Sequence, residues 1–474
     1  MALRGAAWLA AAALAAAEPM VPDPALRRAA WPFDAPPAAS LRGHGPAVYA
    51  HYLPVFPRSI DNRPPASDYY AVHYLRPDGE DGKFAAVGGW LRDRPLPRDP
   101  LPGRWTLTDL EWEVRAAAEL GIDGFIVDLL SDVGVHADRA AGLLRVAARV
   151  PGFRIVLMPD MEAGFADRPE ALELMIARLA AEPTAARLPD GRLLLAPYNA
   201  QRRDPAWWKA RLESLAEAGI PCAFLPCVQD LGKYRDGFLR MPAAVGIGEW
   251  GSRTLEAVVG QPDQAAPVHA AGRWWMAPVS PQDYRPKNRW VQEAQGTALF
   301  RAMWSSARQV RADLVQIATW NDYSEHSHIA PSVVSGWGFY DLTAYETAWY
   351  KTGTPPPITR DGITLVHRPM AADAGPKDRQ ARPTPGLPTV DIVEALVWLP
   401  APAVVRLVGG DGFEVRADLA AGVHRLTVPL TPGTPWAVIQ RQGVEVLRCT
   451  STTEVVSTAA EQDLLYRTTT AVAL

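Results

Sequence analysis

Cysteine is scarce in this chain: only Cys222, Cys227 and Cys449 occur in 474 residues. An odd, sparse count excludes a disulfide framework. Cys222 and Cys227, in "CAFLPC", would sit on opposite faces of a strand and roughly 16 Å apart. A bridge spans less than half of that, so both are expected as core thiols. Neither charge sign dominates, since the net charge is −4. Without a basic cluster or basic helix, nucleic acid and anionic membrane surfaces are excluded as partners. Beyond the N-terminus no run approaches 18 apolar residues, so no later segment reads as a membrane span. A Gly-rich phosphate loop after the first strand is missing, and so is a "GxSxG" elbow, which disfavours a Ser-His-Asp esterase.

Three things are present instead. The first is an N-terminal run, Ala6–Ala17, preceded by Arg4 and ending in small residues before Glu18. It reads as a secretory signal over residues 1–17, with an uncleaved anchor as the alternative. The expectation is an exported protein, periplasmic or extracellular, with no membrane association once the signal is cleaved, and monomeric. The second is proline, 45 residues, which implies long ordered loops. The third is tryptophan, 17 residues, either as core or as flat platforms for sugar rings.

Eight β-rich apolar runs follow one another: 47–54, 124–130, 153–160, 192–199, 222–229, 244–250, 273–281 and 314–322. Between them lie segments with helical periodicity. One, 106–121, buries Leu110, Val114, Ala117 and Ala118, with Thr108 and Glu111 spaced as a capping box and Gly121 as its stop. Continuous apolar strands alternating with amphipathic helices predict a parallel sheet covered by helices. Eight such units predict a (β/α)8 TIM barrel over residues 45–352, with an open doubly wound sheet as the alternative. Residues 55–105, rich in Pro, Asp and Arg, read as a structured insertion. A Pro-rich connector, 353–389, then leads to closely spaced strand-like runs over 390–474, an all-β C-terminal sandwich.

A parallel barrel gathers function at the C-terminal ends of its strands. Those ends supply His51, Asp128, Asp160, Asn199, Glu249, Trp250, Trp320, Asn321, Asp322, Tyr323, Glu325 and His328, with Tyr198, Gln229, Asp230, Gln282 and Asp283 nearby. A single acid after a strand is often a helix N-cap, the more natural reading of Asp160 and Asp230. Acids, amides and indoles on one rim suit a sugar, whose hydroxyls need hydrogen bonds and whose ring faces need flat apolar surfaces. Cleaving a glycosidic bond takes two carboxyl groups, one protonated and one ionised, and Asp322 and Glu325 lie three residues apart after the last strand.

The stretch "ATWNDYSEHSHIAPS" resembles the strand-eight motif of glycoside hydrolase family 71, the α-1,3-glucanases or mutanases. "VYAHYLP", "GIDGFIVDL", "WWMAPVSP" and "YDLTAYETAWYKTGTPPPI" resemble further segments of the family, so the similarity covers nearly all of the chain after the signal. Composition and signal suggest a bacterial member. The resemblance implies an endo-acting, inverting hydrolase of α-1,3-glucan that needs no metal or organic cofactor, with Asp322 and Glu325 as its catalytic pair. Glu325 is taken as acid and Asp322 as base, although the motif leaves that order open. His51, Asp128, Asp160, Asn199, Glu249, Trp250, Trp320, Asn321, Tyr323 and His328 are then expected to bind substrate. Two departures flank the pair: the family Gly is Ser324, and Ser-His-Tyr is replaced by His326-Ser327-His328, which puts substrate preference in doubt. The rival readings are a His326/His328 metal site and an inactive barrel acting as a glycan-binding or cell-envelope protein. For the C-terminal region a packed sandwich competes with a carbohydrate-binding module using Trp436.

Overall fold

The computed structural model describes residues 23–473; the N-terminal run read as a signal lies outside them. Eight parallel staves form the barrel: β1 (Ala47–Tyr52), β2 (Gly124–Leu129), β3 (Arg154–Pro159), β4 (Leu193–Leu195), β5 (Cys222–Phe224), β6 (Gly246–Glu249), β7 (Trp274–Val279) and β8 (Leu314–Ile317). β1 pairs with β2 on one side and β8 on the other. The fifth stave is broken because Pro226 has no N–H for the ladder; it resumes at Cys227–Val228. A Phe224–Ala244 bridge and the Gly248 N–H to Pro226 oxygen bond, 2.9 Å, carry the pairing on to β6 and close the ring. The parallel barrel predicted from alternating runs is therefore present.

Period-2 alternation decides what faces inward. Ile126, Val156, Met158, Leu194, Ala223, Cys227, Met276 and Leu314 fill the barrel interior, while Phe125, Val127, Ile155, Leu157, Cys222 and Phe224 pack under the helices. Cys222 and Cys227 thus take opposite faces, as free, buried thiols. Gly246 is required by closeness, since a Cβ there would lie 2.3 Å from the Trp274 backbone oxygen. The helix after β1, α1 (Trp105–Glu119), buries Leu110, Val114, Ala117 and Ala118 and ends before Gly121 at φ +77°. It starts a turn earlier than the capping box implied, because Leu107 already packs on the core. Thr108 is therefore inside the helix, and Glu111 pairs with Arg115 and Arg149.

The insertion 55–105 has its own small core, Phe56, Tyr70 and Leu91, closed by Tyr323. The C-terminal region is a sandwich of two four-stranded sheets. Its strands are β9 (Gly362–His367), β10 (Ile392–Leu399), β11 (Ala403–Val408), β12 (Glu414–Leu419), β13 (Gly422–Pro429), β14 (Trp436–Arg441), β15 (Val444–Thr450) and β16 (Arg467–Val472). β9 falls inside the stretch read as connector, a correction to that reading, and pairs with both β10 and β16. β10 is buried on both faces. Val393, Ala395, Val397 and Leu399 enter the sandwich core, while Leu396 and Trp398 join the barrel core. The sandwich is thus packed against the barrel. Arg406 and Arg448 lie 5.5 and 4.3 Å from the Trp436 ring, so guanidinium groups already occupy that indole.

Candidate active site

β8 stops at Ile317, short of the expected 322, but its backbone keeps touching its neighbours: Ala318 N–H reaches Val279 oxygen and Trp320 N–H reaches His51 oxygen, both 2.8 Å. The chain then doubles back. Thr319 N–H donates to Ser327 oxygen at 2.8 Å and Ile329 N–H to Thr319 oxygen at 3.0 Å. Asp322 and Glu325 occupy the tip of this closed loop. Asp322 is 6% exposed; its Oδ1 accepts from Ser324 N–H (2.8 Å), Ser324 Oγ–H (2.7 Å) and Glu325 N–H (3.0 Å). Oδ2 has no hydrogen-bond partner among the described residues. Ser324, the departure from the family pattern, therefore orients Asp322.

The Glu325 carboxylate lies between two cations. Its Oε2 is 2.8 Å from Arg253 Nη1 and its Oε1 is 2.9 Å from Arg285 Nη1, with the side chain 18% exposed. Burial raises its pKa to about 7; Arg253 and Arg285 act against that rise, and Asp322 and Asp283 add to it. Asp128 is buried at the end of β2, its Oδ1 without a partner. Burial pushes its pKa well above the carboxylate range, and repulsion from Asp160 and Asp322 adds to this. Asp160, at the end of β3, is raised for the same first reason.

His51, Tyr198 and Trp250 make an aromatic wall, with the indole 4.7 Å from the imidazole and 4.9 Å from the phenol ring. Gln316 Nε2 donates to Glu249 oxygen (2.7 Å), so its Oε1 accepts from His51 Nε2–H (2.8 Å). Burial lowers the His51 pKa to about 4. The ring is neutral, and its Nδ1 is a buried acceptor without a partner. Asn199 reaches the rim through a left-handed backbone, φ 52°, and donates to Glu162. Asp230 caps the next helix through Lys233 N–H, 3.0 Å, as its N-cap reading implied.

Five residues expected at the substrate are committed elsewhere. Trp320 is buried against Phe125. Asn321 spends its amide on the insertion, accepting from Leu53 N–H (2.8 Å) and donating to the Leu53 (3.0 Å) and Phe56 (2.9 Å) oxygens. Tyr323 closes the small core of the insertion. His328 stacks on it, ring centroids 4.2 Å apart, and meets Asp93 at 3.1 Å. Glu249, on the outward phase of β6, accepts from Leu231 N–H (3.1 Å) and Gln264 Nε2 (3.0 Å) behind the groove. These are corrections with two causes: the polar stretch after β8 builds a loop as well as a site, and the pleat of β6 turns Glu249 away from the barrel interior.

The metal reading fails on the same ground. His326 Nε2 accepts from Arg92 N–H (2.9 Å) while Nδ1–H donates to Tyr284 oxygen (2.6 Å), and burial lowers its pKa to about 4. Both nitrogens are used. Among the described residues no group of three His, Cys, Asp or Glu is placed to hold a metal ion.

Sequence reasoning missed Arg253, Arg285 and Gln316. Nothing local marks them: Arg253 and Arg285 reach Glu325 from the segments after β6 and β7, and Gln316 reaches His51 from the neighbouring stave. Asp283 was near the census, and its bond to Arg285, Nε to Oδ1 at 2.7 Å, follows the i, i+2 geometry of an extended strand.

A barrel whose mouth carries a pair of carboxyl groups in different surroundings, an aromatic wall and unsatisfied buried polar atoms has the parts of a glycosidase. The family match and the sequence relatives agree with that class. The profile of glycosyl hydrolase family 71 matches residues 102–467, and the chain belongs to that family, as an endo-1,3-α-glucanase-like glycoside hydrolase. It is 27% identical over 370 residues to glucan endo-1,3-alpha-glucosidase agn1 of Schizosaccharomyces pombe, covering 72% of this chain and 85% of that one. It is 26% identical over 201 residues to mutanase Pc12g07500 of Penicillium rubens, covering 37% of this chain and 43% of that one. Among solved structures, the GH99 endo-alpha-mannosidase from Bacteroides thetaiotaomicron aligns with a TM-score of 0.48 and 14% identity over 64% of this chain and 97% of that one.

Proposed function

We propose that this chain is an exported endo-hydrolase of α-1,3-glucan that works by inversion, with Glu325 as general acid and Asp322 as general base. The observation that carries the reading is the contrast between the two carboxyl groups on one loop. Glu325, with a pKa of about 7, keeps a proton to give. Asp322 has one oxygen fixed by three donors and the other open to a water. In the reaction a water oxygen bonds to the anomeric carbon while its proton passes to Asp322 Oδ2. The bond from that carbon to the glycosidic oxygen breaks as the Glu325 proton reaches the leaving oxygen. Asp128, His51, Tyr198, Trp250 and Asn199 would line the sugar site. The His51 Nδ1 and Asp128 Oδ1 atoms, unpartnered in the protein, suit sugar hydroxyls.

The linkage comes from the names of the S. pombe and P. rubens relatives. Export rests on the N-terminal run, and no helix among the described residues is long and apolar enough to cross a membrane. One observation favours a glycan-binding barrel without activity: Glu325 is ion-paired to Arg253 and Arg285. Against it stands a carboxyl that burial still holds near neutrality and that keeps part of its surface open. Reducing-end release from α-1,3-glucan by the wild type, Asp322→Asn and Glu325→Gln decides between them. Turnover by the wild type and its loss in both variants is the expected result. Binding without release in the wild type would give the binding reading the field, and the anomer released, followed by NMR, reports inversion.

A further inference from the structure

We infer that Arg253 and Arg285 are positioning residues that together set the pH at which Glu325 yields its proton, a role that deepens the hydrolase reading and rests on it. Both side chains are delivered to Glu325 by construction. Residues Asp283–Arg285 form a short strand whose central Tyr284 N–H donates to Glu325 oxygen at 2.9 Å. Alternation sends Asp283 and Arg285 to the Glu325 side and Tyr284 to the other, where its hydroxyl bonds Gln462 oxygen at 2.9 Å. Asp283 accepts two bonds from Arg285, both 2.7 Å, and lies 3.2 Å from Arg253 Nη1. Two cations therefore face two anions, and each guanidinium reaches both.

Arg253 is 1% exposed, comes from the loop after β6, and has its backbone N–H held by Gln292 on the strand paired with Asp283–Arg285. Its Nε and Nη2 have no hydrogen-bond partner although buried. A guanidinium left with free donors at such depth is held for its charge and for an occupant of the groove. The charged and titratable groups around Glu325 come from every neighbouring element: Arg253 after β6, Arg285 and Asp283 on the short strand, Asp322 on its own loop, and Tyr198 at the end of β4. Only the two arginines favour its ionised form. They stabilise the carboxylate that forms as the proton leaves, while burial keeps the proton in place beforehand.

The test compares wild type, Arg285→Gln and Arg285→Lys as full-length proteins. Arg285 is the more exposed of the two, at 29% for its side chain, and thermal unfolding checks that each variant is folded. The first readout is the pH profile of kcat/KM on soluble α-1,3-gluco-oligosaccharides. The second needs no substrate: the pH dependence of Glu325 labelling by a water-soluble carbodiimide, followed by peptide mass spectrometry. Removing a cation raises a carboxyl pKa, so Arg285→Gln is expected to move the labelling midpoint and the alkaline limb upward by about one pH unit. Arg285→Lys is expected to restore most of both. An unchanged labelling midpoint in folded Arg285→Gln overturns the inference. A shift of the acid limb in place of the alkaline one overturns the acid role of Glu325. Absence of hydrolysis in the wild type sinks the functional reading alone, and the labelling still decides whether the arginines tune Glu325.

Discussion

Two carboxyl groups near the same barrel mouth, one buried and one partly exposed, have been pushed in opposite directions. Glu325 is raised to about 7, with burial as the first cause and Asp322 and Asp283 repelling its charge. Asp93, from the insertion, is lowered to about 2 even though burial works against it, because its neighbours donate to it. His328 and Ser332 Oγ–H meet its Oδ2 at 3.1 and 2.7 Å; Ser335 N–H reaches the same oxygen and Val334 N–H reaches Oδ1, each at 2.8 Å. Asp93 has every lone pair engaged, with Arg94 N–H on Oδ1 at 2.7 Å, and serves as a rivet between the insertion and the segment after the Asp322–Glu325 loop. Glu325 and its surroundings keep polar atoms without partners. Satisfied polar clusters hold structure, and unsatisfied ones wait for substrate.

The strongest way to break the contrast is at the proposed catalytic pair. Asp322→Asn and Glu325→Gln are each expected to lower kcat on α-1,3-glucan by about 10²–10⁴-fold with the protein still folded. A loss under about tenfold in either would remove that residue from the chemistry. At the rivet the effect moves from rate to stability. Asp93→Asn leaves three backbone N–H groups and His328 facing an amide and is expected to destabilise by about 3 kcal/mol in urea unfolding; an unchanged midpoint would mean the network holds nothing.

pH sharpens the same comparison. If Glu325 must be protonated, kcat/KM is expected to fall above about pH 7, nearing tenfold per pH unit at the higher end. A flat profile to pH 9 would separate Glu325 from proton donation. Asp93 has a folded pKa below its ordinary 3.8. Its contribution is therefore present above about pH 4 and lost as pH falls towards 2, about 2 kcal/mol in all. Unfolding midpoints of wild type and Asp93→Asn should converge over that window. The smallest effect is expected behind the groove: Glu249→Gln should change kcat/KM by about twofold or less, since its carboxylate serves Leu231 and Gln264.

The legibility of the chain divides along the same line. Apolar runs of strand length and their alternation with helical periods are local properties, so the barrel and six of the strands after it could be read directly. β9 and β16 were missed because one hides in a Pro-rich stretch and the other, Arg467–Val472, is half threonine with only partial burial on either face. Asp322 and Glu325 could be singled out as candidates because a polar burst after a buried strand is a local anomaly. Trp320, Asn321, Tyr323 and His328 were misassigned because the same burst also builds the loop, and chemistry of side chain does not say which of two polar tasks a residue has.

By itself the sequence determined the staves, their helices and the position in the chain at which two acids leave the last strand, since each depends on residues close together in sequence. The tertiary structure alone decided that Arg253, Arg285 and Asp283 surround one of those acids and that Asp93 holds His328 beside them. Those groups come from four separate segments, and the fields and hydrogen bonds that fix their protonation act over a few ångströms of space, whatever their distance along the chain.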